Sequence, residues 1–346
     1  MNVLYLTNYP VPYRVEFFNQ LADAVDLTVW YESSATDLRD EEWQHSNAIR
    51  HCCLTREDAS LGKLLRCRDF DLVVVGCYNE HFGLEAIMRL KMAGRKYVIN
   101  VDGEYFDGPG IKKRIRDLMV KDADGYLIAG EKTGAALRRL VGEDKVRSYH
   151  FSSLCRREVE QNASERWREG ESYLCVGQYA QYKGLDVLVD AFVQIPDEKL
   201  TIIGSSSKTD ELRAYIDSVG ACNIDVVPFL QKEELGCRYR NCKAFILPSR
   251  QECWGLVMNE AASFGAPIIA TRGVGAARDF LVGNSPLLVN PESPRDLVRA
   301  VSYYGSLDAA VKTALSDDLL VRSSGYTIER TVEEHTTAFG YFLQNC

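Results

Sequence analysis

Short, almost continuously apolar segments alternate with amphipathic ones along nearly the whole chain, and that alternation restricts the fold more than any other feature. In the first half, strands are expected at Val3–Thr7, Leu27–Tyr31, Leu72–Gly76, Tyr97–Val101 and Tyr126–Ala129. Helical patterns lie between them at Val15–Ala24, Gly83–Met92, Ile111–Val120 and Lys132–Val141. A strand that is apolar on both faces must be covered on both, which crossover helices on a parallel sheet achieve. The rhythm breaks over 148–170, where SYHFSSL gives way to the polar RREVEQNASERWREGE, and a domain junction is expected there. It resumes with strands Tyr173–Val176, Leu200–Ile203, Asp225–Val227, Phe245–Leu247, Ile268–Ala270 and Leu287–Val289. Helices Leu185–Val193, Glu211–Val219, Glu233–Arg240, Leu256–Phe264 and Pro294–Tyr304 alternate with them. The expectation is an α/β protein of two Rossmann-like domains with parallel sheets, 1–150 and 151–325, facing across a cleft. In the last segment, 326–346, the amphipathic stretch Ile328–Leu343 can return to the first domain.

Within the second half, residues 244–271 (AFILPSRQECWGLVMNEAASFGAPIIAT) read as strand, loop, helix, strand. Glu252 stands in the loop and Glu260 on the helix. Helical side chains lean toward the N-terminus, so Glu260 can reach back over the turn that Glu252 precedes. That helix end offers the amides of Gly255, Leu256 and Val257 and a partial positive charge, which suit a phosphate. Ionised carboxylates repel phosphate and only accept hydrogen bonds, so their partners are hydroxyls. Hydroxyls on both sides of a phosphate describe a nucleotide sugar. Ahead of this unit runs GQYAQYKG, from Gly177 to Gly184. It is no Walker A loop, since Lys183 is followed by Gly184 and not by Ser or Thr. Lys183 nonetheless places one cation beyond a strand end, a counter-charge for a pyrophosphate, and Arg250 can assist it.

The remaining composition mostly excludes. A net charge of −8 argues against a nucleic-acid binder. Eleven cysteines without a C-x-x-C pair read as reduced thiols of a cytoplasmic protein, and five scattered histidines do not suggest zinc. MNVLYLTNY lacks the basic start of a signal peptide and reads as a first strand, and no apolar run approaches the ~20 residues that span a bilayer. Asp69 and Asp71 form a D-x-D, but they precede a strand, on the edge of the sheet away from ligands, so no metal is expected. Tyr13 and Arg14, in a proline-stiffened turn after the first strand, are placed to meet an acceptor. The segment 111–121, IKKRIRDLMVK, sets Lys112, Lys113, Arg114, Arg116 and Lys121 around an apolar stripe and suits a peripheral membrane contact.

From Gly177 to Phe280 the sequence resembles the nucleotide-sugar half of the retaining GT-B glycosyltransferases of family 4, also called glycosyl transferases group 1. VGQYAQYKGLDVLVDAF, LTIIGSS, VVPFLQKEEL, the 244–271 stretch and GVGAARDF follow that family's landmarks in order. The first half resembles it more loosely through NYPVPYRVEFFNQLA, INVDGEYFD and YHFSSL, as in enzymes building bacterial surface polysaccharides. The resemblance implies that Glu260 holds the ribose hydroxyls and Glu252 those of the transferred sugar. Lys183 and the amides after Gly255 would face the pyrophosphate, with Phe229 and Leu230 bordering the base. Asp102 would lie about where many members carry a histidine near the donor sugar. Two departures stand out: Gln178 occupies a position usually arginine, and Glu104 one often glycine. The resemblance thus implies a metal-independent hexosyltransferase using a UDP- or GDP-linked sugar and a saccharide or lipid-linked acceptor. A sugar-nucleotide epimerase or hydrolase, or a non-catalytic sugar-nucleotide binding protein, are the alternatives on the same fold.

Overall fold

The computed structural model of the chain describes residues 1–33, 49–56, 58, 60–67, 69–78, 80–102, 114, 117–118, 120–130, 134–204, 209–281 and 285–345. Its contacts divide into two compact units, Met1–Ser153 with Ile328–Cys346, and Leu154–Thr327. The first begins with β1 (Asn2–Thr7), α1 (Pro12–Ala22), β2 (Asp26–Tyr31), β3 (Cys52–Thr55), α2 (Leu61–Cys67) and β4 (Leu72–Val75). It continues through α3 (His81–Ala93), β5 (Tyr97–Val101), β6 (Gly125–Ala129), α4 (Ala135–Val141) and β7 (Val146–Tyr149). All seven strands are parallel, in the order β3, β2, β1, β4, β5, β6, β7.

The second unit runs α5 (Arg156–Ser164), β8 (Ser172–Val176), a 3-10 turn (Gln181–Lys183), α6 (Leu185–Val193), β9 (Lys199–Ile203), α7 (Thr209–Ser218) and β10 (Ile224–Val227). Then follow α8 (Lys232–Arg240), β11 (Phe245–Leu247), α9 (Leu256–Ser263), β12 (Ile268–Thr271), α10 (Ala277–Phe280), β13 (Leu288–Val289), α11 (Pro294–Ser306) and α12 (Ala309–Ser323). Its six strands are also parallel, in the order β10, β9, β8, β11, β12, β13. The last helix, α13 (Ile328–Asn345), packs on α1 and β7 of the first unit.

Strand alternation sorts the first unit's side chains into two cores. Leu4, Leu6, Val73, Val75, Ile99 and Ile128 face one way, against Leu61 and Leu64 of α2 and Phe82, Ile87 and Leu90 of α3. Tyr5, Asn100 and Tyr149 face the other, beneath α1 and α13, where Phe18 meets Tyr5 at 4.8 Å and His335 meets Tyr149 at 4.5 Å between ring centroids.

Several elements depart from the sequence reading. The five strands expected in the first unit are joined by β3 and β7. Both are the outermost strands of the sheet; no residue of β3 is buried and only Val146 and Tyr149 of β7 are, so neither has the continuous apolar run of a central strand. The polar junction contains α5, of which only Val159 is buried, so no apolar stripe announces it. Helix α12 is hidden for the opposite reason: it buries Lys312, Ser316 and Ser323 along with Leu319, so polar residues occupy its core face. Lys312 is tolerated there because its ammonium meets Glu169 at 2.6 Å. Of the expected basic helix 111–121, Lys112, Lys113 and Arg116 lie outside the described residues, as does Glu104. No helix among the described residues is long and apolar enough to cross a membrane.

Candidate active site

The second sheet is a doubly wound one whose strand order reverses between β8 and β11, and ligands of such sheets sit beyond the carboxyl ends at that reversal. The loops leaving these two strands carry Lys183 and Glu252. After β8 the chain makes its 3-10 turn and enters α6 through Gly184, at φ +65°. A Cβ at Gly184 would stand 2.4 Å from the Pro248 carbonyl oxygen, so glycine is what lets the two loops press together. The Arg250 amide donates to the Tyr182 carbonyl at 2.8 Å and seals the contact.

Glu252 is held at both ends. Its amide donates to the Gly273 carbonyl at 2.8 Å, and its carbonyl accepts from the Gly275 amide at 3.1 Å, a short parallel bridge to the chain following β12. Its Oε2 accepts from Lys183 Nζ at 2.5 Å and from Ser249 Oγ at 3.2 Å. The two paired side chains are only 14% and 16% exposed. Gly255, at φ +97°, is the N-cap of α9, and a Cβ there would stand 3.5 Å from Glu252 Cγ and 3.0 Å from Val274 Cγ1. The carboxylate therefore stands beside the amino end of α9. Gly255 brings no side chain to cap that end and no acid occupies its first turn, a combination that suits an outside anion at the amides of Leu256 and Val257.

Glu260 lies on α9 beyond the first turn, and its Oε2 accepts from the Tyr239 hydroxyl at 3.0 Å. Phe229 and Leu230 follow β10 on the same carboxyl edge of the sheet; Phe229 is exposed and Leu230 half-buried, as is Gln178 just after β8. Arg250, expected to assist Lys183 at a phosphate, forks its guanidinium onto Asp186 with both bonds at 2.7 Å, donates from Nε to Glu292 at 3.0 Å, and from Nη1 also to the Gln181 carbonyl at 2.7 Å. Two carboxylates offset its charge, and Arg250 in turn holds the Asp186 carboxyl below its usual range. It ties together the loops after β8, β11 and β13. Glu292 has a left-handed φ of 58°.

In the first unit, Asp102 stands directly after β5. Its Oδ1 accepts from the Tyr149 hydroxyl at 2.9 Å and from Asn100 Nδ2, and its Oδ2 from Arg14. Arg14 also donates to Thr7 Oγ1 at 3.1 Å. Asn100 is a polar residue within a central strand; its Nδ2 donates to Asp102 and to the Tyr149 hydroxyl at 3.2 Å, and His335 Nε2 stands 3.3 Å from its Oδ1. His335 donates from Nδ1 to the Thr331 carbonyl at 2.7 Å, and burial lowers its pKa to about 4, so it is neutral. Tyr13, expected beside an acceptor, packs edge-on against Phe151 at 5.9 Å.

The sequence therefore indicated Lys183, Glu252, Glu260, Gly255 and Asp102, while Ser249, Tyr239, Asp186, Glu292, Asn100, Tyr149 and His335 emerge only from the fold. Tyr239 had a faint signal, as the one apolar ring near the end of a charged helix. Asp186, Glu292 and Tyr149 had none, because their partners are 64, 42 and 47 residues away. Among the described residues, no cluster of three His, Cys, Asp or Glu side chains is placed to hold a metal ion.

Residues 157–309 match the family model described as glycosyl transferases group 1. A D-inositol 3-phosphate glycosyltransferase of Arthrobacter is 31% identical over 179 residues, which cover 49% of this chain and 39% of the relative. An O-antigen chain mannosyltransferase C of Escherichia coli is 28% identical over 143 residues, 39% of this chain and 38% of the relative. The chain thus spans about two fifths of the length of these curated relatives. The crystal structure of Anabaena HepE in complex with UDP superposes over 97% of this chain and all of its own, with a TM-score of 0.73 at 15% identity. Residues 157–309 of this chain thus match the glycosyl transferases group 1 family, on an architecture of two doubly wound units whose fold is shared with HepE.

Proposed function

We propose that this protein moves a hexose from a UDP- or GDP-linked sugar to a saccharide or lipid-linked saccharide, with retention, in the synthesis of a surface polysaccharide. The observation that carries the reading is the Lys183–Glu252 pair beside the amino end of α9, at the strand-order reversal of the second sheet. The donor's diphosphate would lie on the amides of Gly255, Leu256 and Val257 with Lys183 beside it. Glu252 would then accept hydrogen bonds from the sugar, Glu260 from the ribose, and Phe229 and Leu230 would flank the base. As the bond between anomeric carbon and phosphate oxygen breaks, negative charge grows on the diphosphate. Lys183 and the helix end would stabilise it, a role that needs no metal ion. The acceptor hydroxyl would attack from the same face, forming the new glycosidic bond while the departing phosphate takes its proton. We assign acceptor recognition to the first unit, where Arg14 is partly exposed.

The relatives lend support by what they are. HepE is known with UDP, with UDP and glucose, and with UDP-glucose, and the Escherichia coli relative is an O-antigen mannosyltransferase. On this reading the protein is cytoplasmic, and 111–121 would bring it to the membrane surface where lipid-linked acceptors reside; charge reversal there should abolish binding to anionic vesicles. The central test is a thermal-shift panel of nucleoside diphosphate sugars, since a ligand of the folded state raises the melting temperature in proportion to its affinity. A UDP- or GDP-sugar should shift the protein clearly and, with a saccharide panel, release the nucleoside diphosphate. No shift with any such donor would refute the assignment.

A further inference from the structure

The ribose role given to Glu260 requires a carboxylate held in one orientation, and the structure shows what holds it. Helix α8 is strongly polar, and Tyr239 is its only buried residue. The ring sits edge-on to Phe245 at 5.6 Å and stacked on Phe264 at 6.2 Å, so it cannot turn without disturbing the start of β11 and the end of α9. From this fixed ring the hydroxyl donates to Glu260 Oε2 at 3.0 Å. Burial, reinforced by the nearby Glu260 charge, raises the Tyr239 pKa well above its ordinary value, so the phenol remains a donor and the carboxylate an acceptor. Engaging one carboxylate oxygen removes the free rotation about the last bond of the glutamate and restricts the directions in which it can accept further hydrogen bonds.

We propose that Tyr239 is the positioning residue for Glu260 and thereby sets how strongly the site prefers a ribonucleoside diphosphate to its deoxy counterpart. This rests on the ribose assignment above. A core tyrosine always seeks a partner for its hydroxyl, and that alone would be a structural role. What differs here is the partner, the one carboxylate on α9, whose own task is recognition.

The test compares the intact protein with Tyr239→Phe and Glu260→Gln, measuring binding of UDP and GDP and of their 2′-deoxy and 3′-deoxy forms by calorimetry. The wild type should prefer the ribonucleotide. Tyr239→Phe should weaken ribonucleotide binding about tenfold, the scale of one hydrogen bond to a charged group, and leave deoxynucleotide binding unchanged, so the preference shrinks by the same factor. Equal weakening of both ligands, or an undiminished preference, overturns the proposal. If Glu260→Gln loses the preference while Tyr239→Phe keeps it, the ribose assignment stands and the positioning role falls. If the wild type shows no preference at either hydroxyl, the ribose assignment itself fails. Should Tyr239→Phe not fold, Phe264→Leu keeps the hydroxyl but loosens its ring; it should lower the preference several-fold, and an unchanged preference there refutes the proposal.

Discussion

Lys183→Ala tests stability and chemistry together. The ion pair is 2.5 Å long and both side chains are more than four fifths buried, so removing the lysine strands a carboxylate with Ser249 as its remaining side-chain donor. Breaking a buried pair from one side costs ~3–5 kcal/mol. Residual water and the Ser249 bond reduce this, and about 2–3 kcal/mol is expected for this variant. Glu252→Ala should cost less, about 1 kcal/mol, because a long lysine side chain can turn its head toward solvent. The double variant should therefore be less unstable than the sum of the singles, with a coupling of about 1–2 kcal/mol. Urea unfolding of the four proteins measures this cycle. Turnover should behave differently, since each single variant loses about a hundredfold or more and the double recovers nothing, the scale of deleting a preorganised charge contact. Strictly additive unfolding energies would show that the pair does not form in solution. Near-normal donor turnover in both single variants would refute the catalytic reading even if the pair forms.

Two further perturbations follow from the same geometry. Gly255→Ala forces a Cβ onto a residue at φ +97° and within 3.0 Å of Val274 Cγ1, so it should destabilise the protein by about 1–3 kcal/mol and weaken nucleoside diphosphate binding; wild-type denaturation and affinity would contradict this account of the helix end. His335 has a folded-state pKa of about 4 against an ordinary 6.5. The unfolded chain thus binds this proton more readily, so the contribution is intact above pH ~6.5 and is lost as pH falls toward 4, by about 3 kcal/mol in all. Unfolding free energy measured across that window should decline less steeply in His335→Gln, and parallel profiles would disprove the assignment.

Much of the architecture was legible because it is governed by local periodicity. A segment such as Val3–Thr7 is apolar on both faces whatever surrounds it, and Leu185–Val193 is helical over the very residues its pattern marked. Elements whose core face is polar, such as α12, or scarcely present, such as α5, carry no such pattern and were missed. In the site, glutamates, lysine and glycines could be picked out by type and spacing, but not their employment. Arg250 illustrates this: its charge is plain in the sequence, while Asp186 and Glu292, which offset it, lie 64 and 42 residues away.

The sequence by itself therefore determined two parallel sheets covered by helices and the strand, loop, helix, strand unit of 244–271, since strand period, helix period and glycine positions are properties of neighbouring residues. Only the tertiary structure decided which side chains meet. Lys183 reaches Glu252 across 69 residues because the order of β8 and β11 in the sheet sets their loops side by side, and His335 reaches Asn100 across 235 because the last helix packs on the first unit. Such pairings depend on strand order and on how helices cover the sheet, and those are settled by burying the whole core at once.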